Sequence, residues 1–428
     1  MRNRTIKNAA WIIGCRILQS GLALLVTMLS ARYLGPSGYG LINYAASLVA
    51  FFVPIMQLGL NSTLVREIIC DPEHEGETMG TALAMTLVSS IACVIGIATV
   101  STFLNKGETQ TIIVCVLYSF LLIFQSLEMI QYWFQAKLLS KYTSLTILAA
   151  YVIVAAYRIG LLVAGSSIYW FAISQAIDFA IIAVVLLVLF GKISGSKLKV
   201  SAQRAVSMLA RSKHYIFSSM MITIFAQTDR IMLKLMMNEA AVGYYSAASS
   251  CATLTAFVFV AIIDSARPSI LEGKQKSDEA FQQGMKTLYA VVILLALLQS
   301  AAITVLAKPI IWILYGAQYG ASVEALRIIV WFTTFSYLGA VRDIWILAEK
   351  KQKYLWMINL SGATSNVVLN AVLIPLFGVN GAAVASLVTQ IFTNVIMGWI
   401  IRPISPSNRL MIQSLNIKFI CSQIQKIK

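Results

Sequence analysis

Apolar runs long enough to cross a bilayer recur from one end of this chain to the other, and they limit its fold more than any other feature. A spanning helix needs roughly 20 apolar residues. Runs bounded by turn or charge signals fall at about 8–31, 40–62, 79–103, 110–135, 143–164 and 168–190. After a basic, more polar stretch at 191–213 they resume at about 215–237, 241–264, 287–307, 324–348, 354–375 and 380–401. Composition agrees: only 12% of the 428 residues are charged, against about a quarter in soluble domains. The expectation is an all-α polytopic membrane protein of twelve transmembrane helices. Its domains would be a six-helix lobe over 1–190, a basic linker over 191–213, a second six-helix lobe over 214–401, and a basic tail over 402–428.

The net charge of +16 invites a nucleic-acid reading until the charges are placed. Twelve crossings put both termini on one side. That side receives 24 Lys and Arg from loops and tails, and the other only Arg32, Lys106, Lys234 and Lys308. Cytoplasmic loops accumulate basic residues, so the termini are expected in the cytoplasm. The loops then explain most of the charge, and nucleic acid drops out as a partner. The segment beginning "MRNRTIKNAAWIIGCRIL" starts like a signal peptide, but its apolar stretch has spanning length and lacks a small-x-small cleavage site. It reads as a retained first helix.

The six cysteines are scattered with no C-x-x-C pair, and His74 and His214 fall in loops. Metal clusters and disulfide frameworks need closely spaced or paired ligands. No nucleophile–base constellation or phosphate-binding glycine loop occurs either. Neither an enzyme nor a cofactor is expected.

The halves echo each other. "WFQAKLLSKY" (133–142) and "WILAEKKQKY" (345–354) share Trp, Ala, Lys and Tyr at a constant offset of 212, each closing the fourth span of its half. Transporters built from such repeats place substrate between them.

Against this apolar background, ten charges fall in or at the edge of spans: Arg16, Arg158, Arg230, Arg327 and Arg342, with Glu128, Asp178, Asp229, Asp264 and Asp343. Each costs at least about 2.5–3.5 kcal/mol at mid-bilayer, so they must face the bundle, a wet cavity or one another. Two readings stay open. In one they pair and hold helices together, with Asp264, Arg267 and Lys234 snorkelling from span ends. In the other Arg16, Arg230, Arg342, Arg158 and Arg327 line a basic cavity, because the planar guanidinium suits phosphate. Asp229, Asp178, Asp343 and Glu128 are then candidates for ion coupling or pairing. Arg16 leads, since its span contains no acid.

Five stretches then carry a family resemblance. "ARYLGPSGYG" (31–40), "GLNSTLVREI" (59–68), "AQTDRIMLKL" (226–235) with "VGYYSAAS" (242–249), "LYGAQYGASVEALRI" (314–328) and "FGVNGAAVASLVTQ" (377–390) occur in order along the chain. Together they resemble the Wzx-type O-antigen and polysaccharide repeat-unit flippases of the MOP exporter superfamily. The resemblance implies two six-helix lobes that rock around a cationic cavity in the bacterial cytoplasmic membrane. It implies a lipid-linked oligosaccharide on undecaprenyl diphosphate as substrate, membrane lipid as surroundings, and a polymerase and other glycan-assembly proteins as partners. His214 and Tyr215 depart from the pattern, where a proline-led start to the seventh span would be expected. The tail is also longer and more basic than the fold requires, and it reads either as an interfacial helix or as disordered chain. A multidrug exporter of the same superfamily is the first rival, although such proteins carry acids for cation binding in the first lobe, often in the first span, where this chain has Arg16 and no acid. A peptidoglycan-precursor flippase is the second, although that branch usually carries two further spans. A non-transporting scaffold would have no need of the buried charge.

Overall fold

A computed structural model describes residues 2–415, with side chains described for residue 19 and from residue 21 onward. Among the described residues every regular element is helical. The chain divides into two compact units, Met1–Gln227 and Thr228–Lys428.

In the first unit, α1 (Arg2–Gln57) contains both of the first two expected spans. It kinks at Gly35, whose φ of 68° is open to glycine and strained for other residues, with Pro36 next in line. Then come α2 (Leu64–Cys70) and α3 (Glu75–Leu104). The expected fourth span is three pieces: α4 (Thr109–Ser119), α5 (Leu121–Glu128) and α6 (Gln131–Ala136). At its breaks the ladder tightens to three-residue bonds, Ile123 N to Phe120 O at 3.2 Å and Ile130 N to Leu127 O at 3.3 Å. α7 (Ser140–Val163) and α8 (Ile168–Ile193) complete the set. Leu64, Met79, Trp133, Phe134, Ile182 and Phe190 belong to one buried cluster, with Trp133 edge-on to Phe190 at 5.0 Å.

The segment expected as a linker is strapped onto this unit. Lys199 N donates to Gly76 O at 3.2 Å and Ser201 N to Thr81 Oγ1 at 3.0 Å. Arg204 Nη1 donates to Asp71 Oδ2 at 3.1 Å and Thr78 Oγ1 at 2.8 Å. His74, bonded to Asp71 Oδ1 at 2.8 Å, and Arg204 together hold the Asp71 carboxyl below the usual carboxylate range. From Ala202 onward the segment is already helix: α9 runs Ala202–Met236. Arg204, Met208 and Ser212 recur at four-residue spacing and turn inward, with Met208 and Ser212 fully covered. The division between units falls inside α9.

The second unit continues with α10 (Glu239–Ala252) and α11 (Ala256–Lys276), which bend by 44° at their junction. α12 (Asp278–Leu314), α13 (Ser322–Ala348) and α14 (Leu355–Ile391) are long. α14 contains a second glycine kink, Gly378 at φ 58°, within the "FGVNG" stretch. A π turn at Phe392–Ile396, α15 (Met397–Ile400) and α16 (Ser405–Ser414) follow, so the described part of the tail is helical. Phe259 stacks on Tyr337 at 3.9 Å in a core that includes Phe281, Tyr289 and Trp345.

Among the described residues seven helices are long and apolar enough to cross a membrane, or eight with the bent α10–α11 pair as one span. The difference from twelve expected runs has a physical origin. Two pairs of runs are joined through Gly35 and Gly378, and charges in α9 and α13 lower the hydropathy of two more. The repeat at offset 212 reaches the backbone. Leu138 (φ 57°) and Lys350 (φ 54°) end their helices in the left-handed conformation. The next amides, of Leu139 and Lys351, return to Phe134 O at 2.7 Å and Ile346 O at 2.8 Å.

Candidate functional site

The most elaborate polar site in the second unit is built around Asp229. α9 carries this carboxylate into the packed interior, 6% exposed. Asn366 and Asn370, one turn apart on α14, donate to Oδ1 at 3.0 and 2.6 Å. Tyr245 of α10 and Ser386, beyond the α14 kink, donate to Oδ2, the serine at 2.5 Å. Both oxygens are therefore met by neutral donors. A hydrogen bond to a charged group contributes about 1.5–3 kcal/mol, which offsets the cost of burying the charge. The adjacent residue, Arg230, points about 100° further round the helix. It is half-buried, and its Nε donates to Ser246 Oγ at 3.2 Å. Consecutive residues of α10, Tyr245 and Ser246, thus serve consecutive residues of α9.

The other charges of this unit have different settings. Arg342 is buried; its Nη1 donates to Thr393 O at 2.7 Å, inside the π turn, and its Nη2 lies 3.9 Å from Asp343. A π turn displaces carbonyls from the helical ladder, so Arg342 meets a backbone need. Asp343 is exposed. Arg327 forms an exposed pair with Glu324 at 2.5 Å. Lys234, expected to snorkel, is instead buried and paired with Glu239 at 2.8 Å: α9 ends two residues later, and the chain turns back at once into α10. Asp264 and Arg267 pair across one turn at 3.1 Å on an exposed face.

In the first unit, Arg158 of α7 is half-buried. Its Nε donates to Ser174 Oγ at 2.9 Å and its Nη2 to Gln175 Oε1 at 2.8 Å, both on α8. Asp178, one turn beyond Ser174, is buried within electrostatic range of Arg158. Glu128, buried at the end of α5, lies within electrostatic range of Asp178. The Arg16 side chain lies outside the described residues.

Sequence reasoning missed Tyr245, Ser246, Asn366, Asn370 and Ser386. A signal existed in part: two asparagines four residues apart in an apolar run mark a buried polar face.

The family model described as polysaccharide biosynthesis protein matches residues 5–273. The chain belongs to this family. Among solved structures, this polysaccharide biosynthesis protein is similar to an inward-facing multidrug resistance MATE family transporter of the MOP superfamily. That likeness has 12% identity and a TM-score of 0.66, covering 91% of this chain and 96% of the other. It is also similar to the lipid II flippase MurJ in an inward closed conformation, at 16% identity and TM-score 0.63, covering 98% and 93%. A MOP superfamily transporter from Pyrococcus furiosus matches at 11% identity and TM-score 0.53, covering 94% and 96%. At these identities the likeness shows the fold, which is that of MOP superfamily transporters. A search among curated proteins gave no match.

Proposed function

We propose that this polysaccharide biosynthesis protein is a flippase. It carries a lipid-linked oligosaccharide repeat, on a polyprenyl diphosphate, from the cytoplasmic to the outer leaflet of a bacterial cytoplasmic membrane. The observation that carries the reading is the family match over 5–273 on a fold shared with a lipid II flippase. The physical task fits. Sugar hydroxyls and phosphates do not cross hydrocarbon unaided, since each unmet polar group costs about 2–7 kcal/mol. Half-buried guanidinium groups at Arg158 and Arg230 are suited to replace the hydration of a diphosphate without covalent chemistry. The protein would cross the membrane twelve times with both termini in the cytoplasm, alternating access around a basic cavity. O-antigen or capsule repeats are the substrate class, and the polymerase that joins them is the partner.

Arg230→Ala, and Arg16→Ala as a second variant, should abolish surface glycan in cells while the protein stays inserted at normal abundance. Arg230→Lys should restore only part of it, because a point charge lacks the two-pronged donor. Normal surface glycan in both alanine variants would rule out the basic-cavity mechanism. Resistance to cationic drugs that follows expression of the protein would favour multidrug export.

A further inference from the structure

We propose that the first unit binds the headgroup of an anionic phospholipid in a cleft between α2 and the start of α9. The cleft has a volume of about 830 Å³, within the roughly 300–1,000 Å³ of small-molecule sites. Arg66, Glu67 and Cys70 of α2 line one wall, and Arg204, Arg211 and Tyr215 of α9 the other. The two helices run in opposite directions. Arg204 meets Asp71 and Glu77, beyond the end of α2, at 3.1 and 3.4 Å. Arg211 lies 3.8 Å from Glu67 within α2, and Tyr215 stands beside Gly59, ahead of α2.

The two ends of the cleft therefore differ in charge. At one end Arg204 bridges its two acids, and Asp71 also meets His74 at 2.8 Å, so that end is occupied by its own ion pairs. At the other, Arg66 and Arg211 share a single acid, Glu67, and the 3.8 Å contact of Arg211 is too long for a hydrogen bond. Arg66 is exposed, and no acid reaches it among the described residues. The remaining residues, 1–18, 20 and 416–428, contain no Asp or Glu. One positive charge is left over, which matches the single negative charge of a phosphodiester. Two guanidinium groups on opposite walls suit its oxygens.

The position of this end favours a lipid over a soluble phosphate. It is the end nearer the bilayer: the apolar stretch of α1 runs to Gln57, just ahead of Gly59, and the apolar stretch of α9 begins at Tyr215. Tyrosine is favoured at the headgroup level. On the first turns of α9, Val206 and Leu209 are exposed, whereas residues 191–213 carry six Lys and Arg and no acid. A basic segment with an apolar outer face is suited to an anionic membrane surface. Placing the lipid in the cytoplasmic leaflet rests on the proposed orientation of the chain; the phosphate contacts do not.

The test is native mass spectrometry of the purified full-length protein with dioleoyl phosphatidylglycerol and dioleoyl phosphatidylcholine. One molecule of phosphatidylglycerol should be retained more tightly than phosphatidylcholine. Arg66→Gln and Arg211→Gln should each weaken that retention about tenfold, the loss of one charge-assisted hydrogen bond. Arg327→Ala, on the exposed surface of the second unit, should leave it unchanged. Equal retention of the two lipids, or retention unaffected in both glutamine variants, would overturn the proposal. If the variants fail to fold, Cys70 of the wild-type protein decides. It is exposed in the cleft one turn from Arg66. In neutral detergent, added phosphatidylglycerol should slow its modification by N-ethylmaleimide, followed on its own peptide, and phosphatidylcholine should not. Equal rates with either lipid would overturn the site. Inorganic phosphate that slows the modification as much as phosphatidylglycerol would overturn the lipid as the source of the phosphate. Labelling of Cys70 by a membrane-impermeant maleimide in intact cells would overturn the orientation, and with it the cytoplasmic leaflet.

Discussion

Each unit buries acid in an apolar helix bundle, and the two do it in opposite ways. In the second unit, Asp229 is surrounded by Asn366, Asn370, Tyr245 and Ser386, and both of its oxygens accept. In the first unit, Glu128 and Asp178 lie near each other, with an orphaned oxygen and one guanidinium turned to neutral partners. A satisfied charge fixes helices in one arrangement. The fold therefore gives Asp229 the setting of an anchor and leaves Asp178 with a buried oxygen that no described residue meets.

The largest expected effect breaks the anchor. Asp229→Ala leaves four buried donors without their acceptor, each costing about 1–3 kcal/mol when unmet. Relaxation and water should reduce the sum to about 3–5 kcal/mol, read as a fall in thermal stability of the purified protein. Asp229→Asn should cost less, since the amide keeps one acceptor. Arg342→Met should come next, at about 2–4 kcal/mol. It frees Thr393 O in the π turn but also removes a buried charge, and the second change offsets part of the first. In contrast, Glu128→Gln should leave stability within about 1 kcal/mol of wild type, because the amide matches the carboxyl in size and none of the described residues hydrogen-bonds to it. A large loss there would erase the distinction between the units. Arg327→Ala should be smallest, within about 0.5 kcal/mol, since its pair with Glu324 is on the surface. It should also leave export intact.

Much of this architecture is legible in the amino-acid sequence. The helical segments, the basic stretch after residue 190, the ten charges and the offset-212 repeat all follow from residue type and spacing, whereas the strapping of that stretch onto the first unit does not. Two kinds of information are not. Asp229 meets partners from 137 to 157 positions away on α14, and no local pattern announces such pairings. Whether a charge faces protein or solvent is the other: Arg342 and Asp343 are neighbours, yet one is buried and the other exposed. Helix rotation decides that, and rotation is set by packing. The span count suffers from the same limit, since Gly35 and Gly378 let one helix run on as the next. Glycine with positive φ reads in sequence as a break, whereas here it is a bend.

The central claim is translocation, and reconstitution tests it most directly. The purified protein would be placed in liposomes with a fluorescent polyprenyl-diphosphate saccharide, and the fraction reaching the far leaflet followed by quenching from outside. Flipping should run well above that of protein-free liposomes, be lost in Arg230→Ala and be retained in Arg327→Ala. Flipping equal to the protein-free rate, with the protein folded and the saccharide matched to its own glycan, would contradict the claim.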